Sequence, residues 1–265
     1  MLNRIKEKSL AASMVLVLSS LLFGNLTASA STENSNKNTI SVYLAGDSTV
    51  SSYDQSLAPR MGWGQVLDRY FDDKIVVKNE ASSGRSSKSF IDEGRLDAIL
   101  DEIEKGDYLF IQFGHNDQKI EDPSRYTEPY STYKGYLKQY IDGARAKNAL
   151  PVLVTPVERR RFTAEGLARD SHGEYPAAMK ELAKEENVPV IDLTAKSKSL
   201  FQELGPEATK EVFLWLEPGE HMNYPEGVQD NTHFQEAGAE KIAVLVAEGL
   251  KELKLVPLRN HLINR

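Results

Sequence analysis

Short apolar runs alternate with longer amphipathic ones along most of this chain. Five runs, at 39–45 (TISVYLA), 74–78 (KIVVK), 107–113 (DYLFIQF), 151–155 (PVLVT) and 188–191 (VPVI), are rich in Val, Ile and Leu. That composition suits strands buried on both faces. Helical spacing marks 63–71, 95–104, 133–147, 175–186 and 235–253. In the last, Ile242, Leu245, Val246, Gly249 and Leu250 fall on one stripe. Strands separated by helices predict a three-layer α/β/α sandwich around a five-stranded parallel sheet. In such sheets ligands sit beyond the carboxyl ends of the strands, so site residues should follow strands, however far apart in sequence.

The first thirty residues stand outside that pattern. Arg4, Lys6 and Lys8 precede an apolar run at 10–23, and Ala28, Ser29 and Ala30 place small residues after it. This is the layout of a cleavable secretory signal. The run is shorter than the ~20 residues of a spanning helix, and an uncleaved anchor is the alternative. Residues 31–38 (STENSNKN) lack apolar anchors and read as a flexible leader. The domain then occupies 39–265, and the mature protein is expected to be secreted, monomeric and free of membrane contact.

Charge narrows the partners. Residues 1–30 hold three basic residues and one acidic residue, which leaves 29 basic and 38 acidic residues, a net of −9. Such a surface attracts neither nucleic acid nor anionic membrane, and binding an acidic polymer would require a local basic patch. The chain has no cysteine, so disulfides do not support it outside the cell.

Four short blocks carry candidate chemistry. Gly46-Asp47-Ser48-Thr49 follows the first run directly. It reads either as a helix N-cap or as a nucleophile in a tight strand-to-helix connection, where free N–H groups stabilise developing negative charge. Asn79 to Ser86 (NEASSGRS) follows the second run, and Gly84 permits close backbone approach to a ligand or belongs to a plain loop. Gly114-His115-Asn116-Asp117 follows the third run. Its Asn116 amide could donate to an oxyanion, or the block is an Asn/Asp turn. Asp230-Asn231-Thr232-His233 precedes the last helix. A Ser hydroxyl needs a base to remove its proton, and a His base needs a carboxylate to orient it. Asp230 and His233, close together on one loop, meet that need. There is no G-x-S-x-G elbow, P-loop or dinucleotide fingerprint, and His115 with Asp117 lacks further ligands at metal-binding spacing.

Together the four blocks resemble the SGNH, or GDSL, hydrolase superfamily, whose fold is a flavodoxin-like α/β/α sandwich. The similarity is greatest to its rhamnogalacturonan acetylesterase branch, through LAGDSTV (44–50), GWG (62–64), NEASSGRS (79–86), FGHND (113–117), PVERRRF (156–162) and DNTHF (230–234). The resemblance implies a catalytic triad of Ser48, His233 and Asp230, and an oxyanion hole made by the Ser48 N–H, the Gly84 N–H and the Asn116 amide. It implies no metal or organic cofactor. The expected activity is release of O-acetyl groups from a plant cell-wall polysaccharide. Esters of xylan, sialate or lipid are the alternatives, as is a carbohydrate-binding protein without catalysis. For substrate contacts, Arg159, Arg160 and Arg161 could meet uronate carboxylates. His115, and His221 with Tyr224 on the Pro/Gly-rich stretch 217–229, are further candidates. Trp63 could stack on a sugar, although its place at the start of an amphipathic stretch favours core packing.

Overall fold

The computed structural model describes residues 39–255 and 257–263. The expected signal segment (1–30) and leader (31–38) lie outside the described residues. In chain order the strands are β1 (Ile40–Gly46), β2 (Arg60–Met61), β3 (Ile75–Asn79), β4 (Tyr108–Gln112), β5 (Leu150–Val154), β6 (Val190–Ile191), β7 (Phe213–Leu216) and β8 (Val228–Gln235). The α-helices are α1 (Ser87–Asp92), α2 (Arg95–Glu102), α3 (Lys134–Ala146), α4 (Tyr175–Glu185), α5 (Leu193–Ala208) and α6 (Glu236–Leu253).

The five expected strands form one parallel sheet in the order β3-β1-β4-β5-β6. Side chains alternate across it, as strand geometry requires. Val42 and Leu44 of β1, Phe110 of β4 and Val152 and Val154 of β5 join one apolar cluster. That cluster takes in Trp63, Phe201 of α5 and Ile242, Val246 and Leu250 of α6. Tyr43 and Ala45, Leu109 and Ile111, and Leu153 point the other way, into a cluster with Phe90 of α1, Ile99 of α2, Tyr140 of α3 and Met179 of α4. The three layers therefore follow from the period of two within each strand. The order matters for function, because β1 lies between β3 and β4 and the loops after these strands stand side by side.

Three features differ from the pattern-based expectation. The segment 63–71 is not one helix but two 3₁₀ turns, Trp63–Gln65 and Leu67–Tyr70. Contact with the loop after β1 is the reason. The Trp63 N–H donates to the Thr49 carbonyl (2.9 Å) and the buried indole donates to Gln112 Oε1 (2.8 Å). The second difference is two helices outside the expected set, α1 and α5, the latter interrupted at Gly205 (φ 72°) ahead of Pro206. The third is a second, antiparallel sheet in the order β2-β8-β7. Strand β8 reads VQDNTHFQ with only Phe234 buried, so neither apolar alternation nor β-branching announced it.

Gly62 is required by space. A Cβ there would stand 2.3 Å from the Ser51 carbonyl oxygen and 2.6 Å from the Val50 carbonyl carbon. Gly62→Ala is expected to destabilise the fold by about 1–3 kcal/mol through overpacking, measured by urea denaturation. An unchanged midpoint would mean that the loop after β1 yields freely.

Candidate active site

The carboxyl ends of β3, β1 and β4 carry the first three blocks. Gly84 follows β3, Ser48 follows β1 and Asn116 follows β4. No α-helix starts at Ser48, contrary to the strand-to-helix expectation. The residue sits in a turn closed by the Val50 and Ser51 N–H groups on the Asp47 carbonyl, both at 3.1 Å. Gly84 occupies a turn closed by Arg85 N–H on Ser82 O. Its φ of +82° is one that side chains rarely adopt. The Ser82 N–H donates to the Gly46 carbonyl at 2.9 Å, which fixes the Gly84 loop against the Ser48 loop. Asn116 is buried and its amide donates to the Arg85 carbonyl at 2.9 Å, which sets the amide plane and leaves its second hydrogen for a ligand.

The fourth block enters from the antiparallel sheet. Asp230 and His233 lie within β8 rather than on a loop. His233 Nε2 is 2.9 Å from Ser48 Oγ, and His233 Nδ1 is 2.6 Å from Asp230 Oδ2. The other oxygen of Asp230 accepts from the Thr232 and His233 N–H groups at 2.7 and 3.0 Å. Burial opposes the Asp230 charge, but the His233 ring and these two N–H groups outweigh it and hold the carboxyl at about 2. An anionic Asp230 keeps the hydrogen on Nδ1, so Nε2 is free to accept the Ser48 proton.

Beneath Ser48 lies a buried polar network that the sequence motifs did not reveal. The Asp47 carboxylate, fully buried, accepts from the Thr49 N–H (2.9 Å) and Thr49 hydroxyl (2.8 Å) and faces His115 Nδ1 at 3.2 Å. Gln112 donates to Thr49 Oγ1 (2.8 Å) and receives the Trp63 indole N–H. Burial works against the Asp47 charge, yet its hydrogen bonds with His115 and Thr49 keep the carboxyl below its usual value. Burial also draws His115 down, so the ring is neutral and donates from Nδ1. His115 meets the His172 ring edge-on, centroids 4.4 Å apart, and His172 bonds the Val157 carbonyl at 2.8 Å. The signal for Asp47 was its place beside Ser48. His172 had none, since it stands in no motif.

Other expected contact residues have structural duties. His115 is 3% exposed and packs under the site. Arg159 donates to the Ser171 and His115 carbonyls, each at 3.2 Å. Arg160 donates to the Pro206 carbonyl (2.6 Å) and Asn231 Oδ1 (3.1 Å) and stacks on Trp215 (4.7 Å), bracing β8 beside Asp230. These bonds occupy Nη1 and Nη2 of both arginines, while the Arg160 Nε is buried without an acceptor. Arg161 is exposed. His221 accepts from the Asn223 N–H. The Asn223 amide and Tyr224 hydroxyl bond carbonyls of Gln55, Ala58 and Leu57, which ties this loop to the segment 55–58. Trp63 is core, as its position suggested. Among the described residues no group of three or more His, Asp and Glu side chains could hold a metal ion.

A hydroxyl, an imidazole and a carboxylate in hydrogen-bond series, set at the carboxyl end of a parallel sheet, define a serine hydrolase site. The chain belongs to the GDSL-like lipase/acylhydrolase family, which it matches over residues 44–241. It is 54% identical over 229 residues to rhamnogalacturonan acetylesterase RhgT of Bacillus subtilis (strain 168), covering 86% of this chain and 97% of that protein. It is 50% identical over 222 residues to the probable rhamnogalacturonan acetylesterase YesY of the same strain, covering 84% and 97%. Among solved structures, protein YxiM from Bacillus subtilis superposes with a TM-score of 0.71 at 32% identity, over 82% of this chain and 58% of that one.

Expectations follow for two carboxylates, Asp230 first. Asp230→Asn should lower kcat on the order of 10⁴-fold near neutral pH. Because Asp230 stays ionised down to about pH 2, the acid limb of wild-type kcat/KM should follow one proton with unit slope above about pH 4. A slope of two would show that Asp230 also titrates in that range.

The second concerns Asp117, buried beside the site and held by the Ser87 N–H, Ser87 hydroxyl and Thr127 hydroxyl. Burial raises its carboxyl to about 7 despite these donors. The folded chain thus keeps a proton that the unfolded chain releases above about pH 4, and this group's contribution to stability falls as pH rises from about 4 to 7. Asp117→Asn, always neutral, should gain in Tm relative to wild type between about pH 5 and pH 8. A constant difference would show that Asp117 is ionised throughout.

Proposed function

We propose that this protein is a rhamnogalacturonan acetylesterase that acts through an acetyl-enzyme. The observation that carries the chemistry is the unbroken Ser48–His233–Asp230 hydrogen-bond series. The polysaccharide is supported by the likeness to RhgT and YesY across almost their whole length.

Ser48 Oγ attacks the acetyl carbonyl carbon while His233 Nε2 takes its proton. Negative charge gathers on the carbonyl oxygen, for which the Ser48 N–H, the Gly84 N–H and the free Asn116 amide hydrogen are the available donors. One such donor is worth about 10²–10³ in kcat. Collapse of the intermediate expels the sugar oxygen, which takes the proton from His233. Water then attacks the acetyl-enzyme, His233 accepts its proton, and acetate leaves as Ser48 regains hydrogen. Asp230 stays charged throughout and stabilises the imidazolium. Export belongs to the same reading: the basic start, apolar run and small residues of 1–30 support delivery to a polymer outside the cell.

The test is acetate release from acetylated rhamnogalacturonan, acetylated xylan and a short-chain aryl acetate, by wild type beside Ser48→Ala. Wild type should prefer rhamnogalacturonan and Ser48→Ala should release acetate from none. Equal activity of Ser48→Ala would remove Ser48 as nucleophile, and a preference for xylan would overturn the substrate.

A further inference from the structure

The arginines around the catalytic end of the sheet differ in what they hold. Arg85 pairs with Glu93 (2.9 Å) and Arg125 with Asp122 (3.0 Å). Arg159 and Arg160 are committed to carbonyls and to Asn231, as described above. Among the described residues Arg60, like Arg159 and Arg160, has no carboxylate within ion-pairing distance of its guanidinium. Its Nε, like that of Arg160, is buried without an acceptor, but its side chain makes one hydrogen bond where each of theirs makes two. That bond goes to a neutral oxygen, the Tyr53 hydroxyl, at 2.9 Å. The guanidinium also lies over the Tyr53 ring, 4.4 Å from the centroid.

Two independent observations connect this cation to the segments that carry Ser48 and His233. The Tyr53 hydroxyl that receives the Arg60 hydrogen bond itself donates to the Ser48 carbonyl at 2.6 Å. In addition, β2 pairs with β8 so that Arg60 faces Gln235 and Met61 faces Phe234, the residue after His233. Arg60 therefore adjoins the nucleophile through one neighbour and the base through another. A partly dehydrated cation without a counter-ion is costly to maintain in a fold, and an arriving anion would offset that cost. Its planar fork matches a carboxylate. The net charge of −9 over residues 31–265 makes such a local cation the more necessary for an acidic polymer.

We propose that Arg60 is a specificity residue that binds the carboxylate of a uronic acid at or next to the acetylated sugar. This rests on the polysaccharide reading given above. Tyr53 is the positioning residue: its ring supports the guanidinium, and its hydroxyl links the guanidinium to Ser48.

The experiment compares acetylated rhamnogalacturonan oligosaccharides with the same oligosaccharides after reduction of the uronates to neutral sugars and re-acetylation to the same degree. The readout is the ratio of kcat/KM for the two substrates. Wild type should favour the acidic substrate by about tenfold or more, as for a hydrogen bond to a charged group, and the ratio should shrink as salt rises. Arg60→Gln should bring the ratio close to one, and Arg60→Lys should keep part of it. Arg60→Met, which retains the aliphatic stem over Tyr53, serves in the same way if Arg60→Gln does not fold. A wild-type ratio of one, with acetate released from both, overturns the Arg60 subsite and leaves the esterase reading intact. An Arg60→Gln ratio equal to wild type does the same. Failure of wild type on both oligosaccharides sinks the polysaccharide reading, and the subsite with it.

Discussion

The hydrogen bond between Asp47 and His115 is the contact on which the site depends. Asp47 immediately precedes Ser48, and His115 immediately precedes Asn116, so one 3.2 Å contact joins the Ser48 turn to the Asn116 turn. The carboxylate is fully buried, and losing a hydrogen bond to a charged group costs about 1.5–3 kcal/mol. That penalty makes any loosening of the two loops expensive. Neighbouring bonds run outward from the same carboxylate, through Thr49 to Gln112 and Trp63. The Ser48 turn is thus anchored to the sheet on one side and to the Gly62–Gly64 segment on the other.

Around that anchor the two sheets divide the labour. The parallel sheet places Gly84, Ser48 and Asn116 next to one another because β1 lies between β3 and β4. The antiparallel sheet brings Asp230 and His233 across from outside, held by Arg160 on Asn231 and by pairing with β2 and β7. The two histidines near Ser48 then differ by environment. His233 has an exposed side and a carboxylate partner at 2.6 Å, whereas His115 is enclosed, neutral and committed to Asp47. Only the first can exchange a proton with a substrate.

The legibility of the sequence divides along the same line. All five parallel strands were readable because Val, Ile and Leu on both faces leave a continuous apolar run. Ser48, Gly84, Asn116, Asp230 and His233 were readable because each lies in a short polar block that directly follows an apolar run or precedes the last helix. Strand β8 was not, since its polar residues are needed for chemistry and only Phe234 is buried. The two 3₁₀ turns at 63–70 were hidden by an amphipathic spacing that close backbone contact overrode. The carbonyls and the amide that Arg159 and Arg160 hold were not visible in the sequence, which shows charge and not its partners. His172, more than fifty residues from His115 and outside every motif, is brought to it only by the fold.

Ser48 and His233 are separated by 185 positions, and the bond between them spans most of the domain. A chain growing from its N-terminus makes the nucleophile turn early and the base almost last. Until β8 is synthesised and docked, the Ser48 hydroxyl has no partner to take its proton. The order of residues along the chain therefore acts as a safeguard in time: a nascent or prematurely ended chain contains the nucleophile and has no means of using it.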